Sequence, residues 1–239
     1  MRAATPYDAL GSYPDRTVPL VTFYDGVDSR IELSVASVAN AVAKAGALLR
    51  DGLGVQPGAQ VSIDLPRHWQ LPVWVMAALS VGATVGRELP GPVDVRILGP
   101  QGLAAIAAGR DPEADEVLGC SCDAFGLPVP GGVPPGVIDI GLEVRAYPDS
   151  FSPEPAPVAA LVAGGTAVPW TGDASADDPE QGARLWVDES TPDDGLLRAV
   201  GVRPLLVGGS VVIGIGLAPD EVERIQAAEK VTDRRSDSP

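Results

Sequence analysis

Few residues of this chain have both the type and the spacing for chemistry. Ala163-Gly164-Gly165-Thr166 follows an apolar run; backbone amides in such a loop can hold an anion without side chains, but glycines equally serve a tight turn, and the turn is the plainer expectation. His68 is the single histidine. General acid–base work needs a positioned partner, and none is visible, so an exposed or capping histidine is expected after Pro66-Arg67. Cys120 and Cys122 are the only cysteines. On a strand they would share a face, yet a closed zinc site wants four ligands, and thiol exchange usually places two residues between the sulfurs. Two ordinary, semi-buried thiols behaving as small hydrophobes are expected, and no metal site.

Other candidates have plainer readings. The acidic Asp173, Asp177, Asp178 and Glu180 lack the spacing of a calcium-binding loop and read as a solvated loop over 173–182. Trp69 and Trp74 could line a pocket, but core packing against a sheet explains them. No Gly-x-Ser-x-Gly hydrolase elbow is present.

These residues need elements to position them. Val18 to Tyr24 suits a strand, and Asp25-Gly26 is a turn signal into a second strand at Arg30 to Leu33. Ser34 can cap a helix in which Val35, Val38, Val42, Ala45 and Leu49 recur at three- and four-residue spacing, ended by Gly52 or Gly54. Val61 to Leu65 alternates as a strand. Trp69 to Val81 is apolar on nearly every side, which predicts an enclosed helix with Pro72 in its first turn, followed by a strand at Ala83 to Val85.

Residues 89–157 are rich in Pro and Gly, with short strands expected at Val93 to Leu98 and Glu116 to Cys120 and a helix at Gln101 to Ala108. An internal linker is the alternative there. Strands are expected again at Val158 to Val162, Arg184 to Val187 and Ser210 to Ile215. Thr191-Pro192-Asp193-Asp194 should cap a helix reaching Val202, and Pro219 should start a last helix. The expected organisation is one α/β domain over 1–231, with a mixed or mainly parallel sheet flanked by helices, and a charged disordered tail over 232–239.

Composition narrows the partners. The formal net charge is −15, and no Lys/Arg stripe interrupts it, which argues against nucleic acid and anionic membranes. No segment approaches a bilayer-spanning apolar run and the start lacks a signal-like stretch, so a cytoplasmic location is expected. Aromatic residues are only 5%, so the core must be built from small aliphatic side chains.

The order of strand, capped helix, Leu53-Gly54-Val55-Gln56-Pro57-Gly58 turn, Val61 to Pro66 strand, and Trp74 to Val85 resembles the N-terminal portion of the AMP-dependent synthetase and ligase (adenylate-forming) superfamily. A later stretch is similar to another part of the same domain: Leu196 to Val200, then Pro204-Leu205-Leu206-Val207-Gly208-Gly209-Ser210-Val211-Val212, then Pro219 to Val231. The chain also resembles short actinobacterial members of the superfamily, which suits its preference for Arg over Lys.

Forming an acyl-adenylate requires holding a triphosphate, neutralising its charge and positioning Mg²⁺. The resemblance implies a Ser/Thr- and Gly-rich loop ending in Pro-Lys-Gly for that purpose. Its positional equivalent is Ala163-Gly164-Gly165-Thr166-Ala167-Val168-Pro169-Trp170, so implied phosphate contacts fall on Gly164, Gly165 and Thr166. Only Thr166 adds a hydroxyl, and the lysine is missing. Lys44 and Lys230 lie in helices, and Arg145, Arg184 and Arg198 are scattered. The Tyr-Gly-x-Thr-Glu segment, the ribose-holding Gly-Asp and the mobile C-terminal domain with its catalytic lysine are also missing.

The expectation is a non-catalytic adenylate-forming-enzyme-like protein with no catalytic residues, binding a protein partner or a small ligand. No cofactor is required, and ATP or AMP at the relic loop stays open. The alternative is an acyl-CoA ligase or acyl-adenylating component completed by a second chain.

Overall fold

Leu20, Val21 and Phe23 are buried along strand β1 (Pro19–Asp25), and β2 (Arg30–Ser34) returns beside it antiparallel through Gly26 at φ +67°. The computed structural model describes residues 3–153, 159–174 and 178–234. Upstream lies α1 (Pro6–Gly11), closed by a capping box between Thr5 and Asp8. This helix is absent from the sequence-based expectations, although Thr-Pro-x-Asp is a capping signature.

Ser34 Oγ accepts from Ser37 N and caps α2 (Val35–Ala47) as expected, with Val35, Val38, Val42 and Ala45 on the buried face. The chain then widens into a π turn over Leu48–Gly52 before Gly54, at φ +69°, breaks away. Next come β3 (Gln60–Asp64), α3 (Gln70–Ser80) and β4 (Thr84–Gly86). Every residue of α3 is buried, as its all-round apolar sequence requires. Its few polar groups are satisfied: Ser80 Oγ donates to Met76 O and accepts from Tyr7 N.

Residues 93–139 supply β5 (Val93–Leu98), α4 (Pro100–Ala107), β6 (Ala114–Gly119) and β7 (Val137–Asp139), with α5 (Ile140–Glu143) after them. All three strands pair in parallel with the sheet that holds β3, so this stretch is no linker. Then follow β8 (Ala160–Ala163), β9 (Thr166–Pro169), β10 (Arg184–Val187), α6 (Asp193–Gly201), α7 (Arg203–Leu206), β11 (Ser210–Ile215) and α8 (Pro219–Ala228). Thr191 does not cap α6 as expected. Its hydroxyl accepts from Asp188 N, and Pro192 takes the cap position without a side-chain bond.

Two sheets result, in the orders β10-β11-β1-β2 and β7-β6-β5-β3-β4-β8-β9. Both are mainly parallel; among the described residues only the β1–β2 and β8–β9 pairs are antiparallel. Between them α3 touches α1, α2, α6, β3 and β4, and one apolar cluster joins these helices to the facing sides of both sheets. Gly201 makes the α3–α6 approach close, since a Cβ there would lie 2.5 Å from Val75 Cγ1. On the outer faces, Ile225 of α8 covers Tyr24, Trp186 and Val212, and Leu103 of α4 covers Leu98 and Val117. The layers run helix, sheet, helices, sheet, helix.

Polar clamps fasten the periphery. Arg184 donates to Glu229, Thr22 and Ser210. Burial would raise Glu229, but hydrogen bonds from Arg30, Tyr24 and Arg184 outweigh it and hold the carboxyl at about 2. The expected tail does not begin at Thr232: Thr232 N donates to Arg184 O, and Trp186 N to Asp233 O, so these residues extend the edge of β10. Residues 235–239 lie outside the described residues.

Asp178 also departs from the solvated-loop expectation. Its side chain is fully enclosed and pairs with Arg198 at 2.8 Å and Arg203 at 3.5 Å. An enclosed carboxylate between two guanidiniums is retained because leaving either sign unpaired is costly. Asp177 lies outside the described residues. Asp178→Ala should therefore cost about 3 kcal/mol, read as a lower urea midpoint at unchanged slope.

Candidate functional site

Strand β3 sits at the point where the larger sheet reverses its winding, with β4 on one side and β5 on the other. The carboxyl ends of strands at such a reversal form the crevice where open α/β sheets bind ligands. Alternation explains what lines it: Val61, Ile63, Val95 and Ile97 face the core, which turns Ser62, Asp64 and Arg96 to the opposite face. Ser62 and Arg96 are direct partners in the β3–β5 register.

A cleft of about 640 Å³ opens there, lined by Ser62, Asp64, Arg87, Glu88, Arg96, Val162, Gly164, Gly165, Asp193, Asp194 and Leu197. A second hollow of about 500 Å³ shares Asp64, Arg87 and Asp193 and continues past Gly99 to the start of α4. Ser62 Oγ donates to Arg87 O at 2.8 Å, and Arg87 donates to Leu65 O at 2.7 Å and Asp64 Oδ1 at 3.3 Å. Arg67 ties the rim to the other sheet by donating to Asp188 O and Thr191 O and pairing with Asp193 at 3.1 Å.

Gly164 and Gly165 border this cleft as the two-residue turn of the β8–β9 hairpin, at φ +52° and +76°. Such turns need positive φ at both central positions, so both glycines have a conformational reason to be there. Thr166 is exposed and pairs with Ala163 across the hairpin. A Cβ built on Gly164 would stand 3.8 Å from Asp194 Oδ2, so a carboxylate sits beside the turn. The lining holds four carboxylates against two guanidiniums, a balance that disfavours a polyphosphate.

The other candidates lie elsewhere. Lys44 donates to Tyr147 O and pairs with Asp149 at 2.7 Å, and Lys230 follows the end of α8. Arg184 serves the Glu229 clamp and Arg198 the Asp178 pair. Trp74 is core, and Trp69 Nε1 donates to Ala124 O. Sequence reasoning missed Arg87 and Arg96. The available signal was the alternation in Val93-Asp94-Val95-Arg96-Ile97, which already sets Arg96 off the core face.

His68 is buried, against the expectation of exposure, because Pro66-Arg67 turns it under the first turn of α3. Its ring stacks edge-on against Phe23 with centroids 4.8 Å apart, and Nδ1 accepts from Gln70 N at 3.3 Å, while Trp69 rather than His68 takes the cap position of α3. Burial drives its pKa down to about 4, partly opposed by Asp123.

The fold is that of the acyl-CoA synthetases and matches their N-terminal part. The acyl-CoA synthetase of Brucella canis superposes with a TM-score of 0.70 at 18% identity, over 97% of this chain and 46% of that one. Acetoacetyl-CoA synthetase from Streptomyces lividans gives 0.69 at 20%, over 97% and 42%. The fatty acyl CoA synthetase of Mycobacterium tuberculosis gives 0.65 at 13%, over 95% and 48%. The chain thus spans less than half the length of each. No family model matches the sequence. The chain is, however, 34% identical over 232 residues, 91% of either sequence, to the TIGR03089 family protein of Mycobacterium tuberculosis, and it belongs to that family. Among the described residues no helix is long and apolar enough to cross a membrane.

The buried histidine sets a pH dependence. Its folded pKa lies below the ordinary 6.5, so its contribution is complete above the unfolded value and is lost as pH falls toward about 4. The loss should approach about 3 kcal/mol, and urea titrations of His68→Gln across that window should show a flatter slope than the wild type.

Proposed function

We propose that this protein is a non-catalytic relative of acyl-CoA synthetases that uses the cleft beside Gly164 and Gly165 to bind a small polar ligand or a segment of a partner. The observation that carries this reading is the Asp194 carboxylate beside the glycine turn, where the resemblance would place phosphate. A triphosphate there would meet that charge at close range in a partly enclosed site, where like charges are poorly screened. The turn itself adds no lysine, and its one hydroxyl, on Thr166, lies outside the cleft lining. Arg87 and Arg96 amid carboxylates suit a ligand with both acceptor and donor groups better than a polyanion.

Gly164, Gly165 and Thr166 as a relic phosphate site, occupied by ATP or AMP, remain part of a second reading. There the chain is an acyl-adenylating component completed by another chain, supported by its sharing the fold of the solved synthetases.

The two readings separate in one assay. The purified chain with MgATP, labelled pyrophosphate and a panel of aliphatic and aromatic carboxylic acids should show no exchange above the protein-free background. Sustained exchange dependent on a carboxylic acid would overturn the non-catalytic reading.

A further inference from the structure

Cys120 and Cys122 follow the end of β6 at Gly119, and they do not continue the strand. Two residues apart on a strand, their Cα atoms would be about 6.6 Å apart, and their side chains would stand parallel. A disulfide instead needs Cβ atoms about 3.8 Å apart. Cys122 adopts φ +54°, a left-handed conformation rare for residues other than glycine. That turn curls it back, and the two sulfurs stand 3.9 Å apart.

The turn is braced from within. Ser121 Oγ donates to Leu127 O at 2.6 Å, and Asp123 Oδ1 accepts from Phe125 N at 2.7 Å. Cys120 is 1% exposed and donates to Gln70 Oε1 at 3.2 Å, whereas Cys122 is only partly buried. One sulfur is therefore reachable from solvent, and the other waits behind it.

We infer that Cys120 and Cys122 form a hydroperoxide-reactive dithiol that closes to an intramolecular disulfide. The Cys122 sulfur, still a thiol and hydrogen-bonded to Cys120, attacks the O–O bond as its proton is released. An S–O bond forms, the O–O bond breaks, and the alcohol (water, for hydrogen peroxide) leaves with the proton, giving a sulfenic acid. The Cys120 sulfur then attacks the Cys122 sulfur, forming the S–S bond and expelling water. Two thiols are oxidised, and one hydroperoxide is reduced to alcohol and water. The hydrogen bond between the two sulfurs lowers the pKa of Cys120 and, with burial, raises that of Cys122, so Cys120 is the sulfur that loses its proton more easily and serves as the resolving one. A ring with a single residue between the cysteines is tight, and strained disulfides have the labile potentials of reversible ones.

The test is intact-protein mass spectrometry of the folded wild type after stoichiometric hydrogen peroxide. The expected result is a loss of two hydrogen masses per chain, with thiols alkylatable after denaturation falling from two to none and returning on treatment with dithiothreitol. Cys120→Ser should instead gain one oxygen mass, trapped by dimedone on Cys122. A wild type that keeps both thiols, gains oxygen on separate sulfurs or cross-links between chains would overturn the inference. The wild-type result alone decides if the serine variant does not fold.

Discussion

Everything in this molecule is arranged around a helix with no polar face. All of α3, Gln70–Ser80, is buried, so it must have apolar partners on every side. One sheet cannot supply them. Helices α1, α2 and α6 complete the enclosure, with α2 and α6 packed in turn on the smaller sheet, and Gly201 lets α6 come close enough to do it. The same demand draws the chain's ends together, since β1 pairs in parallel with β11 to make the sheet that closes the far side.

Much of this was legible because it follows from local period and punctuation. The Val35–Ala47 stripe, the Ser34 cap and the Ser210–Ile215 strand depend on neighbouring residues and are found where spacing puts them. What escaped local reading depends on convergence. Asp178 looks like one acid in an acidic run until Arg198 and Arg203, from other elements, enclose it. Arg96 on β5 and Arg87, just past the end of β4, meet in the cleft from either side of β3. His68 gives no local hint that Phe23, on another sheet, will cover it.

The cleft separates what the scaffold supplies from what the side chains supply. The winding of the larger sheet creates a crevice whatever lines it, because the reversal between β5 and β4 leaves a gap at the strand ends. Chemistry then depends on a few side chains. Here the hairpin turn brings two glycines with positive φ, and Asp193 and Asp194 at the start of α6 bring negative charge next to them. Acidic residues in a first helical turn stabilise the helix through its dipole, so α6 gains from the same carboxylates that line the cleft.

Isothermal titration calorimetry of the folded chain with MgATP and with AMP tests this charge argument most directly. The account predicts no saturable heat for either nucleotide, in the wild type or in Arg96→Met. Saturable binding to the wild type that Arg96→Met abolishes would place nucleotide in the cleft and contradict it.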